Sequence, residues 1–186
     1  MTPIPLLAAA VLGLAASAAP AFAAVDSRTL HIQWKPDERV RSKARVVVTV
    51  DVVRLTAVSA GGSGDIKIGA LTTPTFALSI GGSSGAKLEQ LSTERLRIAI
   101  GGAGDVQAAG RASRLEISIA GSGDVKTREL AADDVSITIA GSGDASVQAL
   151  KTLAVSIAGS GDVDHSGAAA LTKGAIAGSG TIRQRK

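Results

Sequence analysis

Asp65, Asp105, Asp124, Asp144 and Asp162 each follow a glycine directly, at steps of 40, 19, 20 and 18 residues. Carboxylates are hard oxygen ligands, and a row of them suits calcium, which gathers about six to eight oxygens. The chemistry such a row would support is calcium-dependent binding or cleavage of a polysaccharide. The stretch GGSGDI at 61–66 also comes near the calcium-binding nonapeptide repeat. That repeat, however, sets one residue between its third glycine and its aspartate and returns about every nine residues. Here the aspartate follows at once, the period is double, and the column breaks at Ala86 and Thr181. A structural role is the simpler reading: an aspartate after a glycine turn bonds nearby backbone N–H groups as an Asx turn. On that reading the five aspartates hold corners, and the sequence assigns no metal, no cofactor and no catalytic residue.

Two other groups of residues bear chemistry. Arg39, Arg41, Lys43 and Arg45 alternate along the chain, which on a strand puts all four side chains on one face. With a net charge of +4 and a pI near 9.8, that face would hold anionic surface polymers or lipid headgroups. Its plainer reading is a solvated strand that protects a sheet edge. Asp164, His165 and Ser166 stand side by side in DVDHSG, but a catalytic triad is recognised by geometry across a fold, not by adjacent letters.

These residues are positioned by a repeat. SIAGSGDV occurs at 118–125 and again at 156–163, with TIAGSGDA between them at 138–145. Aligned on one glycine, seven copies fall at Gly62, Gly82, Gly102, Gly121, Gly141, Gly159 and Gly178, at steps of 20, 20, 19, 20, 18 and 19. A nearly fixed period over so many copies is the mark of a solenoid. Before each motif the apolar residues alternate: Leu96, Ile98, Ile100; Leu115, Ile117, Ile119; Val135, Ile137, Ile139; Leu153, Val155, Ile157. Period two with polar residues between is a strand buried on one face. A second short strand follows each motif, and Leu71, Leu91, Leu130 and Leu150 then fill the interior at the next corner. The expected fold is all-β, a single parallel β-helix of seven to eight coils of about 19–20 residues.

In this fold the glycines make the tight corner. Gly62, Gly64, Gly102, Gly104, Gly121, Gly123, Gly141, Gly143, Gly159, Gly161, Gly178 and Gly180 supply positive φ or room for close backbone approach. At the carboxyl end Gly174 stands where Ile137 and Val155 stood, as the end of a solenoid should depart from its repeat.

Composition narrows the rest. Residues 1–23 carry an apolar run from Ile4 to Ala16 and then Ala21-Phe22-Ala23, which reads as a secretory signal peptide cut after Ala23. The competing reading, an uncleaved anchor, is opposed by the short run and by Pro20. Residues 24–58 are read as lead-in and capping strands, and 59–186 as the β-helix with its carboxyl-terminal cap, one domain over 24–186. With no cysteine and two histidines, thiolate and histidine-rich zinc sites are out of reach. No transmembrane segment follows the leader, and stacking aromatics for nucleic acid are missing.

A leader, lead-in strands and then GSGD-type turns every twenty residues resemble the putative auto-transporter adhesin head GIN domain family. The resemblance covers roughly Ser27 to Ile182. It implies a parallel β-helix of two sheets, a role in adhesion, and no conserved catalytic residues. The expected protein is therefore exported to the periplasm, cell surface or medium, is not an enzyme, and meets an envelope or surface partner. Homo-oligomers through its faces or ends stay open.

Overall fold

The protein is described here by a computed structural model, which describes residues 7–14, 22–26, 29–33, 49–50 and 54–185. Side chains are described for 49–50 and 54–185. Among the described residues there are twelve strands and no helix. Near the amino end lie β1 (Leu7–Leu14), β2 (Phe22–Asp26) and β3 (Thr29–Gln33). The stack itself is β4 (Arg54–Gly62), β5 (Asp65–Gly82), β6 (Gly85–Gly102), β7 (Val106–Gly121), β8 (Val125–Gly141) and β9 (Ala145–Gly159). It closes with β10 (Val163–Ser166), β11 (Ala170–Gly178) and β12 (Ile182–Gln184).

From β4 onward each strand pairs in parallel with the one a repeat away; the order is β12-β10-β9-β8-β7-β6-β5-β4-β1-β3-β2, with β11 beside β9, and only β2 and β3 pair antiparallel. This is a parallel β-solenoid of about six turns, slightly fewer than the seven or eight expected. The reason is geometric. A turn runs from one glycine corner to the next, so seven corners enclose only six turns.

The interior is made of ladders. Leu78, Ile98, Ile117, Ile137 and Val155 stack in register, as do Ile80, Ile100, Ile119, Ile139 and Ile157, and all are at least 98 % buried. Burial of such aliphatic surface, at about 25 cal/mol per Å², is what drives the stack together. Within β8 the inward residues are Val125 and Thr127, then Leu130 and Ala132, then Val135, Ile137 and Ile139. Two successive residues stay out of the core between Thr127 and Leu130, and again between Ala132 and Val135. The wall therefore bends twice more besides the glycine corner. Leu91 and Leu130 fill the interior at the first of these bends, and Leu71 packs partly against it. Leu150 does not, because β9 is shorter: Val147 pairs with Thr127 and Gln148 already with Ala131, which brings Ala149 inward instead.

The ends differ from the middle. At the amino end β1 lies on β4, with Gly13 opposite Gly61 and Leu14 opposite Gly62. At the other end Gly174 sits opposite Val155. A Cβ there would lie 3.0 Å from Leu171 Cδ2 and 3.6 Å from Ile182 Cδ1, so the missing side chain lets these two converge over the open core. All nine residues of β11 remain exposed.

Candidate functional site

The glycine corner is built from two kinds of close approach. Gly102, Gly121, Gly141, Gly159 and Gly178 have φ between 129° and 139°, a region that a side chain disfavours. The second glycine of each motif is packed flat on the turn below: a Cβ on Gly123 would lie 2.2 Å from the Gly104 carbonyl oxygen and 2.9 Å from Ile100 Cγ2. Backbone hydrogen bonds then tie corner to corner, as from Ser142 N to Gly121 O at 2.9 Å.

The aspartates stand beside this corner in one column, and four of them, Asp105, Asp124, Asp144 and Asp162, reach one turn along the axis rather than back to a local amide. Asp105 Oδ1 accepts the Asp124 N–H at 3.2 Å, Asp124 Oδ1 that of Asp144 at 3.3 Å, and Asp144 Oδ1 that of Asp162 at 2.8 Å. Asp162 Oδ1 ends the series on Thr181, accepting from its hydroxyl at 2.7 Å and its amide at 2.9 Å. The Thr181 hydroxyl first, and its amide next, hold the Asp162 carboxyl below the usual aspartate range. The column breaks at Gly85, which is opposite Asp65, one residue before the expected Ala86, which lies opposite Ile66. One oxygen of each of these four carboxylates is thus committed to a backbone amide. Among the described residues, no three His, Cys, Asp or Glu side chains group so as to hold a metal ion.

The structure separates Asp164, His165 and Ser166. His165 points into the core above Val147 and Thr127, where it is 6 % exposed and burial pushes its imidazole down from the ordinary histidine value. Asp164 and Ser166 point outward, and the Ser166 hydroxyl donates to the Val147 carbonyl at 3.4 Å. The three make no relay. The basic stripe Arg39, Arg41, Lys43 and Arg45 lies outside the described residues.

A cluster that the sequence reading missed surrounds Asp164. Its Oδ2 accepts from Arg128 Nη2 at 3.1 Å, two turns below, and pairs with Arg185 Nη2 at 2.8 Å, one turn above. Arg128 Nη2 also donates to Ser146 Oγ at 3.1 Å. Asp164 Oδ1 and His165 Nδ1 are buried and have no hydrogen-bond partner among the described residues. The signal in the sequence was the separation of Arg128 and Asp164 by 36 residues, two short repeats, which places both on one outward face only if the register of each turn is known.

Among the described residues no helix is long and apolar enough to cross a membrane. Comparison with known proteins supports the architecture. The family model described as "Putative auto-transporter adhesin, head GIN domain" matches residues 21–169. A crystal structure of a "putative adhesin" from Bacteroides fragilis is 26% identical, with a TM-score of 0.80, covering 89% of this chain and 76% of its own. A "putative adhesin" from Parabacteroides merdae is 18% identical, with a TM-score of 0.72, covering 100% of this chain and 94% of its own. A "putative lipid binding protein" from Parabacteroides distasonis is 23% identical, with a TM-score of 0.67 and coverages of 87% and 77%. No curated protein matches the chain.

Proposed function

The chain belongs to the putative auto-transporter adhesin head GIN domain family, and from that membership we propose that it is an exported, non-enzymatic adhesin-like module. It is a stiff rod that presents its sides to a component of the cell envelope or of another surface. The observation that carries this reading is how the recurrent residues are used. The glycines hold the turns at backbone contact and the aspartates bind the next turn's amide, so the repeat is occupied with its own cohesion. An active site instead needs unlike polar groups acting together on one point, and Asp164, His165 and Ser166, which line one small cavity, make no hydrogen bond to one another.

The test is binding of labelled protein to bacterial envelope fractions and intact cells, followed by identification of what is retained. Saturable retention, with no chemical change in the retained component, supports the proposal. Turnover of an envelope polymer by the purified protein would overturn it.

A further inference from the structure

We infer that the leader strand β1 holds a position in the stack that β3 takes once the leader is removed, so that the amino-terminal coil closes only on processing. β1 lies between β3 and β4 and runs parallel to both. Ala9, Ala10, Val11 and Leu12 pair with Thr29, Leu30, His31 and Ile32 on one side and with Ala57, Val58, Ser59 and Ala60 on the other. The same four residues serve both neighbours, with no offset between them. Taking β1 out and bringing β3 one step nearer therefore sets Leu30 opposite Val58 and Ile32 opposite Ala60.

The sequence pattern agrees with that match. Val58 and Ala60 face the core, 2 % and 6 % exposed, and head the ladders that continue through Leu78 and Ile80. Leu30 and Ile32 are the apolar members of the alternation Thr-Leu-His-Ile-Gln, the period of a strand buried on one face. In the new register they add one rung to each ladder, while Thr29 and His31 join the columns of Ala57 and Ser59. The chain is long enough for the shift. From Ile32 to Ala60 is 28 residues, against 18 to 20 for the later turns, and the displacement needed is only about 4.8 Å.

Processing supplies the driving force. A cut after Ala23 takes away all of β1 and opens the edge of β4 along the eight positions that β1 had paired. Unpaired N–H and C=O groups on a strand edge invite another strand, and the column of Val58 and Ala60 becomes the bare end of an apolar core. β3 is the adjacent strand with the right direction and register. Its far edge stays covered, because Ala24, Val25 and Asp26 of β2 survive the cut and pair antiparallel with His31, Leu30 and Thr29. The sheet then runs β4-β3-β2 and ends on an antiparallel hairpin, which stops the parallel stack.

The inference rests on the reading of the chain as exported and cut after Ala23, and goes beyond it. The chain has no cysteine, so one engineered pair reports the shift. His31→Cys with Ser59→Cys is made in the full chain, purified without export, and in the chain recovered after export; both are reduced and then exposed to oxidised glutathione. With β1 in place the two positions are two steps apart, about 9.6 Å at roughly 4.8 Å each, beyond the roughly 7 Å over which a disulfide closes. With β3 on β4 they are one step apart. The bridge is expected in the exported chain and not in the full one. Ser79→Cys with Ala99→Cys, opposite each other on adjoining turns, should bridge in both. Hydrogen exchange on the unmutated chains gives a second measurement, in which the β4 amides should stay protected after export. A bridge formed equally in both chains, an exported chain without one, or rapid exchange along β4 after export would overturn the inference. An exported mass that still includes residues 1–23 would overturn it together with the leader reading. A cut chain that lacks the bridge but binds envelope fractions defeats the strand shift and leaves the adhesin-like reading standing.

Discussion

Gly143 lies on the backbone of Gly123 so closely that a methyl group on it would sit 2.3 Å from the Gly123 carbonyl oxygen and 2.9 Å from Ile119 Cγ2. Backbone on one side and a core side chain on the other leave it nowhere to go. Gly143→Ala should therefore destabilise the protein by about 1–3 kcal/mol, the usual cost of overpacking. Gly69→Ala is the control, since nothing lies within 4 Å of its Cβ position, and it should melt like the parent. Thermal unfolding followed by circular dichroism checks both. A Gly143→Ala protein with unchanged melting would mean the turns are not in backbone contact.

Ile137 is 1 % exposed and stacked between Ile117 and Val155. Ile137→Asp buries a carboxylate with no partner and should abolish cooperative melting of the central turns. Ser136→Asp, one residue away but facing out, should be tolerated. Equal behaviour of the two variants in the same melting experiment would contradict the assigned faces.

The carboxylate ladder makes a separate forecast. Asp144→Ala removes the acceptor of the Asp162 amide and should cost about 1 kcal/mol. Asp144→Asn keeps an acceptor oxygen and should cost less. Neither calcium nor chelator should move the melting curve of the parent. A calcium-dependent stabilisation near 2.7 kcal/mol, expected at about a hundredfold excess over Kd, would restore the metal reading.

His165 gives the stability a pH dependence of definite sign. Burial lowers its proton affinity in the folded chain, so as pH falls below about 6.5 the unfolded chain takes up the proton first. The contribution of neutral His165 is full above that point and is lost as pH falls toward the depressed folded value. Asp164, Arg128 and Arg185 are the charged groups that surround this end of the core. Asp162, also held low, acts in a different window: its contribution is present above its ordinary value of 3.8 and is lost in stronger acid. Urea midpoints between about pH 7.5 and pH 5 should decline for the parent and flatten for His165→Val, which continues the column from Val147. An equal decline in the variant would clear His165 of the effect.

The leader can be tested by mass. Export should yield a chain that starts at Ala24, without β1 (Leu7–Leu14). Recovery from the periplasm or medium with residues 1–23 still attached would favour a tethered protein.

Most of the stack was legible because its signals are periodic. Ile117, Ile137 and Val155 announce a shared inward face by alternation alone, and the seven glycines announce the corner by spacing. What escaped depends on register. Ala149 rather than Leu150 turns inward because β9 drops residues at one bend, and a one-residue slip reverses which side chain faces the core. The same slips hid Arg128 from Asp164. The hydrogen bonds of Asp105, Asp124, Asp144 and Asp162 run between turns, and a single chain read in sequence offers only local partners.

The uneven step of 18 to 20 residues has a consequence for how such a chain can change length. From β6 to β9 the register slips, as between Leu88 and Leu91, Gln107 and Ala109, and Thr127 and Ala131, fall on the far bends, while the glycine corner pairs residue for residue from Gly82 to Gly178. The corner behaves as a hinge pin through a stack of plates, and the bends as the plates' free rims. Letters gained or lost at a rim alter one plate's outline. Letters gained or lost at the pin misalign every plate beyond them. Growth at the pin must therefore come as whole plates, whereas the outer contour is open to trial one residue at a time.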